Sequence, residues 1–172
     1  MPKPKIDYVE PFTEIEKLNL EKEVVGIYIS GHPLHNFRFE MDAFCTAQCS
    51  QLNEIEAMLG RDLKLGGIVS AVEHRTTKTG KPFGKFTLED YSGNCTFTLF
   101  GEDYLKFRNF MNMGWFLFVE GAVIKNTWGQ QNIEFKIRNI DLLNEIGLKR
   151  SKGVQLRMNA DEITRDFIGK IE

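Results

Sequence analysis

At Leu63 the hydrophobic period of this chain changes from that of a helix to that of a strand. No other feature restricts the fold as much. Apolar residues every third or fourth position line one face of a helix, whereas strict alternation lines one face of a strand. "LKLGGIVSAVEHRTT" begins the strand region, and its Gly66–Gly67 pair predicts a sharp bend or bulge. After the turn "KTGKP", "FGKFTLED" alternates, with Phe86 and Leu88 on one side and Phe83, Lys85 and Thr87 on the other. "YSGN" predicts a tight hairpin turn, and "CTFTLF" again alternates, grouping Cys95, Phe97 and Leu99. "GEDYLKFRNFM" breaks the pattern, because Tyr104, Leu105, Phe107, Phe110 and Met111 fall on a helical face. "WFLFVEGAVIK" is apolar throughout, so both of its faces need cover. Beyond the loop "NTWGQQ", "NIEFKIRNIDLL" points Ile133, Phe135 and Ile137 inward and Glu134, Lys136 and Arg138 outward.

Three strands, one helix and two strands within about 80 residues is the order of the OB-fold, a small, partly open Greek-key barrel. A sandwich needs more strands and no central helix. The expected fold class is mainly β with flanking helices: a five-stranded OB-fold barrel, preceded by a helical segment and followed by the start of a truncated α+β domain. The expected division is 1–12 linker, 13–62 helical segment, 63–145 OB domain, and 146–172 linker and opening of the truncated domain. In that last stretch "VQLRM" predicts a strand and "NADEITRDFIGKI" a helix. By alternation Phe86, Phe97, Phe116, Phe118 and Phe135 belong to the barrel core.

Within the helical segment, Ile15, Leu18, Leu20, Val24, Ile27 and Tyr28 fall near one stripe opposite a run of charged residues. Gly31 is placed to end this helix and Pro33 to prevent its continuation. "HNFRFEMDAFC" predicts a short helix with Phe37, Met41 and Phe44 inward, and "SQLNEIEAMLG" a third that stops at Gly60. His32 therefore sits in a turn, with no nucleophile or carboxylate constellation around it in sequence. His32, His35, Cys45 and Cys49 form H-x2-H-x9-C-x3-C. Four such ligands suit tetrahedral zinc, yet the spacing matches no common finger, so no metal and no cofactor is expected.

The net charge of −2 leaves no global basic signature, so any nucleic-acid contact must come from a local patch. Three cysteines do not make a disulfide framework, and a reducing cytoplasm is the simpler setting. No apolar run is long enough to cross a bilayer.

"EKEVVGIYISGHPL" resembles a signature of the bacterial replicative polymerases, the DNA polymerase III alpha subunits. These carry E-K-E/A-x-x-G-x-Y-x-S/T-G-H-P just ahead of a C-terminal OB domain. The matching positions are Glu21, Lys22, Glu23, Gly26, Tyr28, Ser30, Gly31, His32 and Pro33. "GGIVSAVEHRTTKTGKPFGKFTLEDYSGNCTFTLF" is similar to that family's first three OB strands. The resemblance implies a fragment without catalysis, because the family's metal-binding acidic triad lies in a palm domain ahead of this region. It implies association with single-stranded template DNA. Through the parent chain it implies partnership with the sliding clamp and the clamp-loader tau subunit, and neither a membrane nor a small-molecule substrate.

The candidate contacts start with "HRTTKTGKPFGK". Arg75, Lys78, Lys81 and Lys85 are four cations with no carboxylate between His74 and Lys85. In an OB-fold this stretch borders the oligonucleotide groove. Phe83 offers a stacking surface, and Thr96 and Thr98 point outward beside Lys85. "KNTWGQQ" is the other flanking loop: Trp128 can stack on a base, with Lys125, Asn126 and Gln130 adding polar contacts. The bland alternatives are a solvated hairpin tip and a Trp128 folded over the barrel end. Four engaged phosphates would give a salt slope of roughly −2.8. A protein-docking or architectural module in the replisome is the competing class. A tRNA-binding OB module like those of class II synthetases is a weaker third, opposed by the GHP helix.

Overall fold

The structure, a computed structural model, describes residues 11–26, 28–126 and 133–153. Five antiparallel strands form one sheet in the order β3-β2-β1-β4-β5: β1 Asp62–Thr76, β2 Pro82–Asp90, β3 Gly93–Phe100, β4 Phe116–Lys125 and β5 Ile133–Leu142. Helix α3 (Gly101–Phe107) lies between β3 and β4. This is the expected OB-fold order.

The long β1 makes the curvature possible. Its first half, Asp62 to Ile68, pairs with β4, and its second half, Ile68 to Thr76, pairs with β2. The exchange of partners falls at the glycine pair. A Cβ on Gly67 would lie 2.6 Å from the Glu89 carbonyl oxygen, and one on Gly66 would strike the Met41 sulfur. The register shift itself lies slightly further on, between Val69 and Ala71. Inside the curve, Leu65, Val69, Phe86, Leu88, Phe97, Leu117, Val119 and Val123 form the main core. Tyr104, Phe107 and Met111 of the α3 region add to it, while Leu105, expected on the same face, is 55% exposed.

The expectation for the five phenylalanines is corrected for two of them. Phe86, Phe97 and Phe135 line the barrel core. Phe118, fully buried, and Phe116 instead face the outer side of β4, in a satellite core with Leu34, Leu143 and Ile146. That is why β4 is apolar on both sides. Leu143 and Ile146 belong to α4 (Leu143–Arg150), so the stretch expected to become linker at 146 begins inside a helix. Arg150 of α4 clamps Glu120 with both terminal guanidinium nitrogens and lies 5.0 Å over the Phe118 ring. The strand and helix expected in 154–172 lie outside the described residues.

The N-terminal segment also departs from expectation. α1 (Glu14–Val25) starts at a Thr13–Glu16 capping box and ends at Gly26, whose φ of 86° is left-handed. Gly31, the expected terminator, has no positive φ. Pro33 opens a 3-10 helix, Pro33–Phe37, which leads into α2 (Arg38–Phe44). The predicted third helix is a kinked 3-10 run, Cys49–Met58, lying against β3 and β5.

Candidate nucleic-acid interface

β2 turns Gly84, Phe86 and Leu88 into the barrel, so Phe83, Lys85 and Thr87 face out. β3 pairs with it in register and contributes Phe100, Thr98 and Thr96 opposite those three. β1 adds Arg75, Glu73 and Ala71 on the other side. The result is an outward grid on three strands. At one end the Phe83 and Phe100 rings stack, with centroids 5.3 Å apart and planes 19° from parallel. Phe100 is 57% exposed, a large area of ring left in water. Lys85 and Thr98 form the next row, and the Thr87 and Thr96 hydroxyls bond at 2.9 Å in the third.

The β1–β2 loop that carries Lys78 and Lys81 is held by its own hydrogen bonds. Thr77 N–H donates to the Lys81 carbonyl at 2.8 Å, and Gly80 N–H to the Thr77 carbonyl at 2.9 Å. Gly80 takes the positive φ, 79°, that the turn needs. Beneath the grid, α3 closes the barrel end. His74 Nδ1 lies 3.0 Å from the Tyr104 hydroxyl, and a Cβ on Gly84 would lie 2.6 Å from Met111 and 2.7 Å from Tyr104.

The charges differ from the sequence-based expectation. Arg75 pairs with Glu73 at 2.8 Å, so its charge is partly answered from within its own strand. Glu73 lay one residue outside the carboxylate-free stretch. It reaches Arg75 because residues two apart on a strand share a face. Lys78, Lys81 and Lys85 form no ion pair among the described residues. Three free cations replace the expected four.

β3 and β5 are the two edges of the sheet, and a cleft of about 660 Å³ lies between them. Thr96, Thr98 and Phe100 form one wall, and Asn126, Glu134 and Lys136 another. Phe97 and Phe135, 5.5 Å apart, bring β3 and β5 together at the cleft. Asp103 pairs with Lys136, and Asn126 donates to Glu134 at 3.3 Å. Lys125 is exposed at the end of β4. Trp128 and Gln130 lie outside the described residues. The structure thus brings Phe83, Lys85, Thr96 and Thr98 onto one face, with Arg75 beside them.

Phe100 is the exposed ring of this face that the sequence reading did not single out. Its signal was present, since it continues the outward Thr96–Thr98 alternation. Two of the four residues weighed as a metal set have partners within the protein. His32 Nδ1 accepts from Leu34 N–H at 3.2 Å and caps the 3-10 helix, whereas the Cys49 sulfur lies 3.0 Å from that of Cys95. Burial pushes the Cys45 thiol up to about 12.

The family described as OB-fold nucleic acid binding domain matches residues 63–143. The DNA polymerase III subunit alpha of Bacillus subtilis (strain 168) is 28% identical over 171 residues, 99% of this chain and 15% of that protein. The chain is homologous to the C-terminal OB-fold region of DNA polymerase III alpha subunits. The subunit alpha of Borreliella burgdorferi is 30% identical over 131 residues, 76% of this chain and 11% of that protein. The chain therefore spans a small part of the length of these polymerase relatives. Among solved structures, the mitochondrial single-stranded DNA binding protein Rim1 of S. cerevisiae is similar with a TM-score of 0.35 and 16% identity. That match covers 49% of this chain and 96% of Rim1. Among the described residues no helix is long and apolar enough to cross a membrane.

Proposed function

We propose that this chain is a non-catalytic part of a DNA polymerase III alpha subunit that holds single-stranded template DNA during replication. The observation that carries this reading is the Phe83–Phe100 stack, with Phe83 half-buried and Phe100 exposed, beside Lys85 and the Thr96–Thr98 row. Every base has a face that stacks on a phenylalanine ring, so such a platform tolerates sequence. Lys78, Lys81 and Lys85 then follow the phosphates, and the threonine hydroxyls bond to phosphate or base edges. The remainder of the polymerase carries the chemistry and the contacts with the clamp and the clamp loader.

The test is fluorescence anisotropy with labelled oligothymidine over a salt series. Three phosphate contacts at about 0.7 per cation give a slope of roughly −2.1, or about 18-fold between 50 and 200 mM. Phe100→Ala is expected to weaken binding roughly tenfold. Affinity independent of salt, or unchanged in Phe100→Ala, would refute the proposal.

A docking role has one observation in its favour: Lys136 answers Asp103, so Glu134 leaves the β3–β5 cleft with a surplus negative charge that repels a phosphate chain. Reversing Lys78, Lys81 and Lys85 to glutamate separates the two. DNA affinity falls if the face binds DNA and stays constant if it docks protein.

A further inference from the structure

The outward face of β2 and β3 does not end at the threonine row. Its next pair is Glu89 opposite Asn94, and beyond them lies the hairpin turn with Tyr91 and Ser92. The GHP stretch of the N-terminal segment packs there. The His32 and Tyr91 rings lie 4.5 Å apart, and Tyr28 meets His32 edge-on at 5.4 Å. Lys22 sits 4.8 Å over the Tyr28 ring and donates to both oxygens of Glu89. Together Lys22, Tyr28, His32, Glu89, Tyr91 and Asn94 bound a groove of about 610 Å³.

Two features make this groove more than a packing seam. Tyr91 is 51% exposed, so the ring supported by His32 still offers area to solvent. The carboxylate of Glu89 would repel a phosphate chain on this face, and Lys22 neutralises it. From Phe83 to Glu89 is six residues, about 20 Å of strand. One stacked nucleotide rises roughly 3.4 Å. The two ring platforms therefore serve different bases of one strand.

Resting on the proposed DNA-binding function, we infer that the Tyr91–His32 pair is a second stacking site for a base of single-stranded DNA, several nucleotides along from the Phe83–Phe100 pair. The DNA path thus runs the length of the β2–β3 hairpin, and the helical segment supplies part of it. A tetranucleotide reaches one platform, and a dodecanucleotide reaches both.

The experiment compares oligothymidine tetramer and dodecamer binding to the full chain, to Tyr91→Ala and to Phe100→Ala. The folding of each variant is checked by thermal melting. Tyr91→Ala is expected to weaken the dodecamer roughly tenfold and leave the tetramer unchanged. Phe100→Ala is expected to weaken both. In the unmodified chain, the His32 ring resonances shift with the dodecamer and not with the tetramer. If Phe100→Ala weakens binding while Tyr91→Ala and the His32 resonances do not respond, the second site is overturned and the DNA-binding function stands. If the unmodified chain binds neither oligonucleotide, both fall together.

Discussion

The barrel and the first helix, α1, treat their apolar residues in opposite ways. The barrel turns alternate residues of five strands onto one another and closes a core of its own. α1 has an apolar stripe in sequence, yet Val24 is 82% exposed and Leu20 41%. It is anchored by polar groups instead. Lys22 reaches Glu89 of β2, and Glu21 accepts from the backbone of Ile29 and Ser30 at 3.0 and 2.9 Å. Those bonds, the Ser30 hydroxyl first, hold the Glu21 carboxyl below its ordinary range. Amphipathic spacing states which residues can share a face. It does not supply a partner for that face.

The sharpest way to break this contrast is Phe118→Ala. Phe118 is where the barrel meets the satellite core, so its loss empties the contact among β4, α4 and the Pro33–Phe37 turn. A loss of about 3–5 kcal/mol in a urea titration is expected. Gly67→Ala attacks the barrel alone, because the new Cβ meets the Glu89 carbonyl and the Leu88 side chain. About 3 kcal/mol is expected, with the urea midpoint lowered.

Asp90 tests the seam between the two regions. Its buried carboxylate accepts from Cys49 N–H at 2.7 Å, from Ser92 N–H and hydroxyl at 2.7 and 2.6 Å, and from Gly93 N–H at 3.2 Å. Asp90→Ala should cost about 2 kcal/mol and raise amide exchange at both Cys49 and Gly93. Val24→Ser should change stability by less than about 0.5 kcal/mol. A larger loss would mean that α1 packs its stripe after all.

A pH series sharpens the comparison most gently. Burial lowers the pKa of His32; nearby Glu89 raises it, Lys22 lowers it and Asp90 raises it, with burial prevailing. The unfolded chain therefore binds a proton more readily than the folded segment. The stabilising contribution is present above the ordinary histidine value, about 6.5, and declines as pH falls through it toward the folded value. NMR should show the His32 ring titrating below that value, and the contacts around Tyr28 and Tyr91 loosening before the barrel does.

The division between what was legible and what was not follows the range of the forces. Alternation set the inward and outward residues of β2, β3 and β5 as far as Ile137, where a bulge opposite Glu120–Gly121 changes the parity and brings Ile140 into the core, and it set the turn at Tyr91–Ser92, because each depends on near neighbours along the chain. Thr96, Thr98, Phe83 and Lys85 were placed on one face for the same reason. Glu73, the partner of Arg75, lies one residue before the carboxylate-free stretch. The stacking of Phe83 on Phe100, the placement of Phe118 outside the barrel and the seating of His32 on Tyr91 were different in kind. Each joins residues well separated in sequence, and no local period carries that information.

The sequence by itself determined the OB order of five strands and an intervening helix, and which side chains β2, β3 and the first part of β5 turn outward. Only the tertiary structure decided which outward residues become neighbours and which charges are answered. Side-chain direction is settled within a few residues by backbone geometry, whereas contact requires the whole chain to close on itself.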